Sequence, residues 1–413
     1  MASNQVDSAR LKGALSGGLI REDVMNKIFD ISKIPLPFTD LIGNETSKQE
    51  YKEWTIDKLA PPNISNAVVD GSDASGDDTQ TGKRVGNHHQ ISTKSVAVSF
   101  RANASDVIGR TKESAYQISR RQQELRRDVE AIALSNQASV ADTGSGGVAG
   151  KVGGLPSWLA TNQIGGSGSA AGGFDTALSG TKVTTARTVG AQMVLTETKV
   201  RDQMQAAYNQ GGEVSILMST PPVVRKFSEY MFTANQSGGA RVAQVVNYVD
   251  NAKKQQIASG SVNVFVSDFG TLKFVPNRLQ PSHADSAAAA AATTLTVGDW
   301  YIITTVGTTT NAQWIAAGDK PFDGVARVGD VFQATTTGVA AGTGQVKLAA
   351  ADVFLLDPEY LALTFLQGYR SEQLAKTGLA EKLQLSVDWS LVVNNEAAHA
   401  MIGDIKQSGT VTY

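Results

Sequence analysis

The sequence predicts an α+β fold with a small all-β domain inserted towards its C-terminal end, and three observations carry that prediction. The first is the stretch 113–137, ESAYQISRRQQELRRDVEAIALSNQ, which has no Gly or Pro and is filled with strong helix formers. Ile118, Leu125, Val129 and Ile132 follow one another at steps of seven, four and three, so they form one apolar stripe on a largely charged helix. A helix of roughly 25 residues is about 37 Å long, beyond the usual three or four turns, and reads as a spine. The second observation is strand pattern, with cleaner alternation of apolar and polar residues in ISTKSVAVSF (91–100) and a long strand in LQLSVDWSLVVNN (383–395). The third is a shift of composition at His283, where ADSAAAAAATT precedes several short strand-like runs.

Taken in order, residues 1–40 read as an arm. Leu19, Ile20, Val24, Ile28 and Phe29 suggest a short amphipathic helix, ended by Ile34-Pro35-Leu36-Pro37. YKEWTIDKL (51–59) and ISTKSVAVSF (91–100) read as the two strands of a long β-hairpin arm. The segment between them has little to bury. After the spine come two Gly-rich tracts, 144–154 and 165–173, separated by the end of GLPSWLATN (154–162). Residues 181–280 read as an α/β unit. It comprises a helix over 185–209, a buried strand in EVSILMS, a helix opened by Pro221-Pro222, and two strands in SVNVFVSDFG and TLKFVPN. The alanine run reads as a linker into LTVGDWYIITTV, ARVGDVFQATTT and GTGQVKL, punctuated by Gly-Asp and Gly-Thr turns. The apolar run DVFLLDPEYLALTFL then resumes the preceding unit, which makes 284–350 an insertion rather than a terminal domain.

Composition bounds the function. The chain has 413 residues, room for two or three domains, and only 18% are charged, with 40 Gly, so turns and small-residue loops are many. With 37 basic and 39 acidic residues the net charge is −2, which lacks the basic excess of a dedicated nucleic-acid binder. There is no Cys, which excludes disulfides, thiolate metal sites and Cys nucleophiles. MASNQVDSAR is not a signal peptide, and no run approaches 18 apolar residues, so no membrane partner is expected.

Catalytic patterns fail on inspection. Asp142-Thr143-Gly144-Ser145 resembles an aspartic-protease loop, but that chemistry needs a second carboxylate and no second copy exists. Gly76–Lys83 and Gly144–Lys151 have five residues between the glycines of a phosphate loop rather than four and lack the following hydroxyl. His88 and His89 are adjacent, so on a strand they face opposite ways; His283 and His399 stand alone. No residue is nominated as catalytic, cofactor-binding or metal-ligating. Arg110, Lys112, Arg120, Arg121, Arg126 and Arg127 alternate with Glu113, Glu124, Asp128 and Glu130 on or beside the spine, a salt-bridged face with some room for phosphate contacts.

An arm, a hairpin, a spine helix and an α/β unit suit assembly with neighbours, and their wording is specific. Glu53-Trp54-x-x-Asp57-x-Leu59, Tyr116-Gln117, Glu124-Leu125-x-x-Asp128-x-Glu130, Asn136-Gln137, Gly154-Leu155-x-x-Trp158-Leu159-x-Thr161-Asn162, the stretch from Asn263 to Gly270, Val275 to Arg278, Leu356-Asp357-Pro358, Leu374 to Gly378 and Asn395-Glu396-x-Ala398-His399 occur in order. Over about 350 residues this resembles the major capsid (head) proteins of tailed phages with the Hong Kong 97-type fold, in a short-tailed phage subgroup.

The resemblance implies an N-terminal arm at 1–49, an E-loop at 50–105, a P-domain at 106–180 holding the spine helix, an A-domain at 181–283 and its completion, with the P-domain, at 351–413. Residues 284–350 depart from the minimal fold. They resemble small β modules of other virion proteins and are expected on the outer surface. The implied function is structural, not enzymatic, with no cofactor: pentamers and hexamers of one chain close into an icosahedral head around double-stranded DNA, assembled in the host cytoplasm. A portal protein is an implied partner. A separate scaffolding protein is expected because the arm before the fold is short; a decoration protein and non-specific contact of the inner face with packaged DNA are further candidates. An encapsulin-like cargo shell on the same fold is the alternative. A virion surface protein whose insertion binds sugar through Trp300, Tyr301, Trp314 and Phe322 is another.

Overall fold

The computed structural model describes residues 35–73, 82–174, 183–232, 248–250, 255–257, 263–339, 341–376 and 378–407. The arm helix expected at Leu19–Phe29 lies outside them. The described chain forms two compact units, one of residues 93–124 and 371–385, the other of 35–92, 125–370 and 386–407.

The first unit holds the first half of the spine helix and the ends of three long strands. Ser99 caps the short helix Phe100–Ala104 by accepting the Ala102 N–H at 3.1 Å. Asn103 Oδ1 then takes the Ser114 backbone N–H and hydroxyl, at 3.4 and 3.1 Å, which ties that helix to the start of the spine. Arg110 pairs with Glu113 and lies 4.6 Å over the Tyr116 ring, and Arg121 pairs with Glu124. The alternating charges of this half are therefore largely local pairs.

The spine runs Glu113–Ala133 rather than to residue 137. Of the last four expected residues, Asn136 and Gln137 bind backbone elsewhere through their side chains, which outweighs helix propensity. Asn136 accepts the Arg187 N–H at 2.9 Å and donates to the Arg187 carbonyl at 2.7 Å; Gln137 donates to the Val152 carbonyl at 2.7 Å.

In the second unit a ten-stranded sheet runs in the order Val264–Ser267, Gly270–Pro276, Ile216–Ser219, Gln345–Leu356, Trp300–Thr305, Val331–Gln333, with short strands beside Gln345–Leu356. The helices Glu197–Asn209 and Pro221–Phe232 cover it. Val200, Met204, Val223 and Phe227 pack with Phe265, Phe274, Leu355 and Ile402 in one core. The first of these helices begins at Glu197, after its cap Thr196 and twelve residues later than expected from Thr185, because Arg187 and Leu195 are held in buried, non-helical chain.

Two further expectations need correction. Tyr51–Ile56 pairs antiparallel with Lys83–His88, not with Ile91–Phe100. The strand Gln90–Ser99 instead joins Ala380–Val393, Leu361–Gln373 and Gly43–Thr46 in a four-stranded sheet. KRVGNH carries almost no apolar signal, yet its last four residues are buried.

Residues 284–350, expected as an all-β insertion reached through an alanine linker, are not all β. Asn311–Ala317 is a helix with a full capping box between Thr310 and Gln313, a signal present in T-x-x-Q and not read as one. The alanine run pairs with the sheet at Ala290–Ala291 and buries Ala292. The insertion has its own core around Trp314, Tyr301, Phe332 and Val346. Gln345–Leu356, however, crosses the expected boundary at 350 as one unbroken strand. It pairs with Trp300–Thr305 at one end and with Ile216–Ser219 and Ala400–Lys406 at the other.

Candidate functional site: the hairpin root, the spine clamp and a buried charge cluster

The Tyr51–Ile56/Lys83–His88 hairpin forms a two-stranded sheet of its own. Such a pair is marginal alone and needs anchoring. Trp54 stacks on Trp158 with ring centroids 5.3 Å apart, and its Nε1 donates to the Val393 carbonyl at 3.0 Å. On the partner strand Asn87 accepts the Gly153 N–H at 2.8 Å and donates to the Gly153 and Leu391 carbonyls at 3.2 and 2.8 Å. Gly154 lets this corner close on the end of the spine, since a Cβ there would lie 1.9 Å from the Ser135 carbonyl oxygen. Glu396 accepts the backbone N–H groups of Ala160 and Thr161, each at 3.1 Å, and Asn162 donates to the carbonyls of Ala397 and His399. The sequence segments 53–59, 154–162 and 395–399, far apart in the chain, thus meet at one root.

Beyond the root, Lys58 is bonded to Gln210, and then Leu59, Ile64, Val68 and Val69 are 80–98% exposed. Apolar side chains this open, on a loop with two prolines, mark a contact surface more than a solvated loop.

Trp54→Ala is expected to cost about 3 kcal/mol through the lost stack and burial. It should make residues 57–82 cleave faster in limited proteolysis. Trp54→Phe keeps a ring and forfeits only the hydrogen bond, about 1 kcal/mol; equal cleavage of wild type and Trp54→Ala would contradict the anchoring role.

The second half of the spine answers what that helix braces. Leu125 and Val129 are buried as the stripe requires, and Glu130, expected among the surface charges, is fully buried beside them. Its carboxylate accepts the N–H groups of Phe38 and Thr39, both at 2.8 Å, and the Asn277 amide at 2.7 Å. One helix residue therefore holds the chain entering the fold and the strand end after Gly270–Pro276. Burial pushes the Glu130 carboxyl above its ordinary range, against the pull of these donors.

A charge cluster joins Arg187 and His283 to Asp352 and Asp404, one acid on each of the strands Gln345–Leu356 and Ala400–Lys406. Arg187 is 3% exposed. Its guanidinium meets both Asp404 oxygens at 3.0 Å and Asp352 at 2.8 Å. His283 Nε2 lies 3.1 Å from Asp404, which also accepts the N–H groups of Gly166 and Gly190 at 3.1 Å. Asp404 takes a left-handed backbone (φ 59°), which Asp tolerates, and Gly403 leaves room for the arginine, since a Cβ would sit 2.7 Å from its Nη1. Burial alone would raise the Asp404 carboxyl; His283, Arg187 and Gly166 hold it well below the usual range instead.

His283, Asp352 and Asp404 have ligand atoms close enough for one cation. Arg187 already supplies the positive charge there and is bonded to both Asp404 oxygens, so the arrangement is an ion-pair lock. Sequence reasoning passed over it because its members are scattered through the chain. The available signal was a lone acid inside each of two apolar strands, AAADVFLL and AMIGDIK.

His399, at the root, is fully buried; its Nδ1 faces the Asp357 N–H at 3.2 Å, and burial lowers its pKa to about 4. A histidine that must stay neutral when folded lends full stability above its unfolded pKa, near 6.5. That stability is lost as pH falls from there towards 4. The loss should approach about 3 kcal/mol, read by denaturant unfolding at pH 7 and pH 4.5, and should be absent from a folded His399→Asn variant. A His399→Asn variant as acid-sensitive as the wild type would contradict it.

The other expected features are structural. Asp142–Ser145 is a tight turn in which Asp142 accepts the Gly144 N–H and Thr143 accepts that of Val148; Val140 pairs with Lys151 across it. The second phosphate-loop-like stretch is the same turn, and most of Gly76–Lys83 lies outside the described residues. His88 and His89 are both buried, His88 against Tyr51 and His89 on the Glu50 carbonyl. Tyr301 and Trp314 are in the insertion core, so with Trp300 and Phe322 they make no aromatic platform for a sugar. Among the described residues no helix is long and apolar enough to cross a membrane.

A pinned hairpin with an open apolar loop, a bracing helix and a locked sheet define a structural protein built for contact. The sequence model of the SU10 major capsid protein family matches residues 4–306 and 334–406, and the chain belongs to that family, the major capsid proteins of tailed phages. Over 113 residues it is 36% identical to the major capsid protein of Escherichia phage Phieco32, a stretch that is 27% of this chain and 32% of that one. Its fold is similar to a capsid subunit of cyanophage A-1(L), with a TM-score of 0.51 at 12% identity over 94% of this chain and 97% of that one. It is similar to the same degree to a capsid chain of a native GTA particle, with a TM-score of 0.50 at 12% identity over 95% and 98%.

Proposed function

We propose that the chain is the repeating subunit of an icosahedral phage head on the Hong Kong 97-type plan. Pentamers and hexamers close through heterologous contacts, in which one surface meets a different surface of the next copy. The hairpin 51–56/83–88 is the E-loop, lying over a neighbouring subunit. The carrying observation is that hairpin: rigidly rooted by Trp54 and Asn87, it ends in apolar side chains left in water. A second copy supplies the missing burial. The head encloses double-stranded DNA, whose phosphates meet exposed arginines of the inner face non-specifically, among them Arg126 and Arg127. Portal, scaffolding and decoration proteins are the partners, assembly takes place in the host cytoplasm, and the protein has no enzymatic task.

Ile64→Asp combined with Val68→Asp tests the reading. The variant should keep the wild-type circular dichroism and melting behaviour as a free subunit and form no closed particles. Normal particles from the variant would overturn the assigned role of the loop. Regular shells from the chain expressed alone would remove the need for a scaffolding partner.

A further inference from the structure

The insertion carries a surface that its own fold leaves uncovered. In the loop after the helix Asn311–Ala317, Phe322 is 100% exposed, and Val325 and Val328 are exposed within the next six residues. The loop is held in shape. Gly324 N–H donates to the Pro321 carbonyl, Ala326 N–H to Asn311 Oδ1, Gly329 N–H to the Ile303 carbonyl, and Arg327 N–H to Asp330. An exposed phenylalanine on a fixed loop is an anchor presented in advance, so little ordering entropy opposes its burial. The loop falls in 307–333, the stretch that the family's sequence model passes over, so the fold common to the family does not require it.

Its charges indicate the occupant. Beside Phe322 and Val328 stand the exposed Lys320, Asp323 and Arg327, the last two bonded to each other within the loop. An apolar anchor beside an acid–base pair complements itself when turned about a two-fold axis, where each Asp323 meets the other copy's Arg327 and Lys320. Every icosahedral shell has two-fold axes, and in a shell identical chains are neighbours at high effective concentration, so a contact too weak for free subunits is populated there.

We propose that the 322–328 loop of the insertion binds the same loop of a second copy across a two-fold axis between capsomers, and so staples the assembled shell. The inference rests on the shell reading above and adds to it a contact made by the insertion.

The absence of native cysteine gives a clean test. Phe322→Cys particles are oxidised and run on a non-reducing gel, and the thiol of unoxidised particles is titrated with a maleimide. A disulfide-linked dimer is expected, together with thiol labelling at least about tenfold slower in particles than in dissociated subunits, because an interface core excludes solvent as an interior does. Val328→Asp, which leaves the insertion core untouched, should give particles that dissociate at lower urea than wild type. Normal Phe322→Cys particles whose chains stay monomeric on oxidation and whose thiol labels freely, with unchanged urea resistance of Val328→Asp, would overturn the staple and leave the shell reading standing. Failure of the wild-type chain to form particles with its phage partners would overturn both.

Discussion

Arg187→Ala is expected to destabilise the second unit by about 3–5 kcal/mol, the cost of leaving buried charge without its partner. The guanidinium is the shared cation of Asp352 and Asp404, and both carboxylates are almost wholly buried. Arg187→Lys should recover only part of the loss, since one ammonium cannot grip Asp404 with two parallel bonds and still reach Asp352. The sign of the pH dependence separates this cause from a simple packing defect. In the wild type the depressed Asp404 carboxyl contributes stability that is present above the ordinary carboxylate pKa and fades only in strong acid. In Arg187→Ala the buried carboxyl loses its cation and its pKa rises, so the folded variant regains stability as pH falls. The difference from wild type in denaturant unfolding should therefore be larger at pH 8 than at pH 5; a difference that does not change with pH would count against the ion-pair account.

Glu130→Ala is the second large effect. It orphans three donors, the buried Phe38 N–H and Asn277 amide and the part-buried Thr39 N–H, worth up to about 1–3 kcal/mol each when left unmet. Because the three act on one site their losses do not add fully, and a total near 4 kcal/mol is expected from the usual range for such networks. Glu130→Gln retains an acceptor on one oxygen but turns an NH2 towards a donor, so it should fall between. The raised Glu130 carboxyl adds a pH signature of opposite sense to that of Asp404: the stability it lends is complete in acid and is lost as pH rises through its elevated value. Glu130→Gln should remove that slope. Hydrogen exchange reads the local consequence, and the amides of Phe38 and Thr39 should lose protection first. Unchanged protection there would mean that the spine does not brace the entering chain.

How far the sequence reveals this fold depends on how local each cause is. The spine helix is legible because its stripe and propensities lie within one segment, and the alternating strands Gln90–Ser99 and Ala380–Val393 are legible for the same reason. The end of the spine is not, because Asn136 and Gln137 are drawn out of it by backbone far along the chain. Lys83–His88 escapes notice as a strand because Val85 is the one large apolar residue among its buried positions and Asn87 is satisfied by Gly153 and Leu391, which no periodicity records. Glu130 looks like one more charge on a charged helix until its three donors arrive from residues 38, 39 and 277. The root is the intermediate case. Its residues stand out as wording in the sequence, while the reason for that wording, the packing of Trp54 on Trp158 and the grip of Glu396 and Asn162 on each other's segments, is visible only in three dimensions.

Electron microscopy of the particles that the chain forms decides whether it is a shell subunit. Expressed with its phage's assembly proteins, it should yield closed icosahedral shells with five-fold and six-fold capsomers, in which the hairpin 51–88 of each copy crosses onto a neighbour. Discrete monomers under those conditions, or shells in which that hairpin folds back on its own subunit, would contradict it.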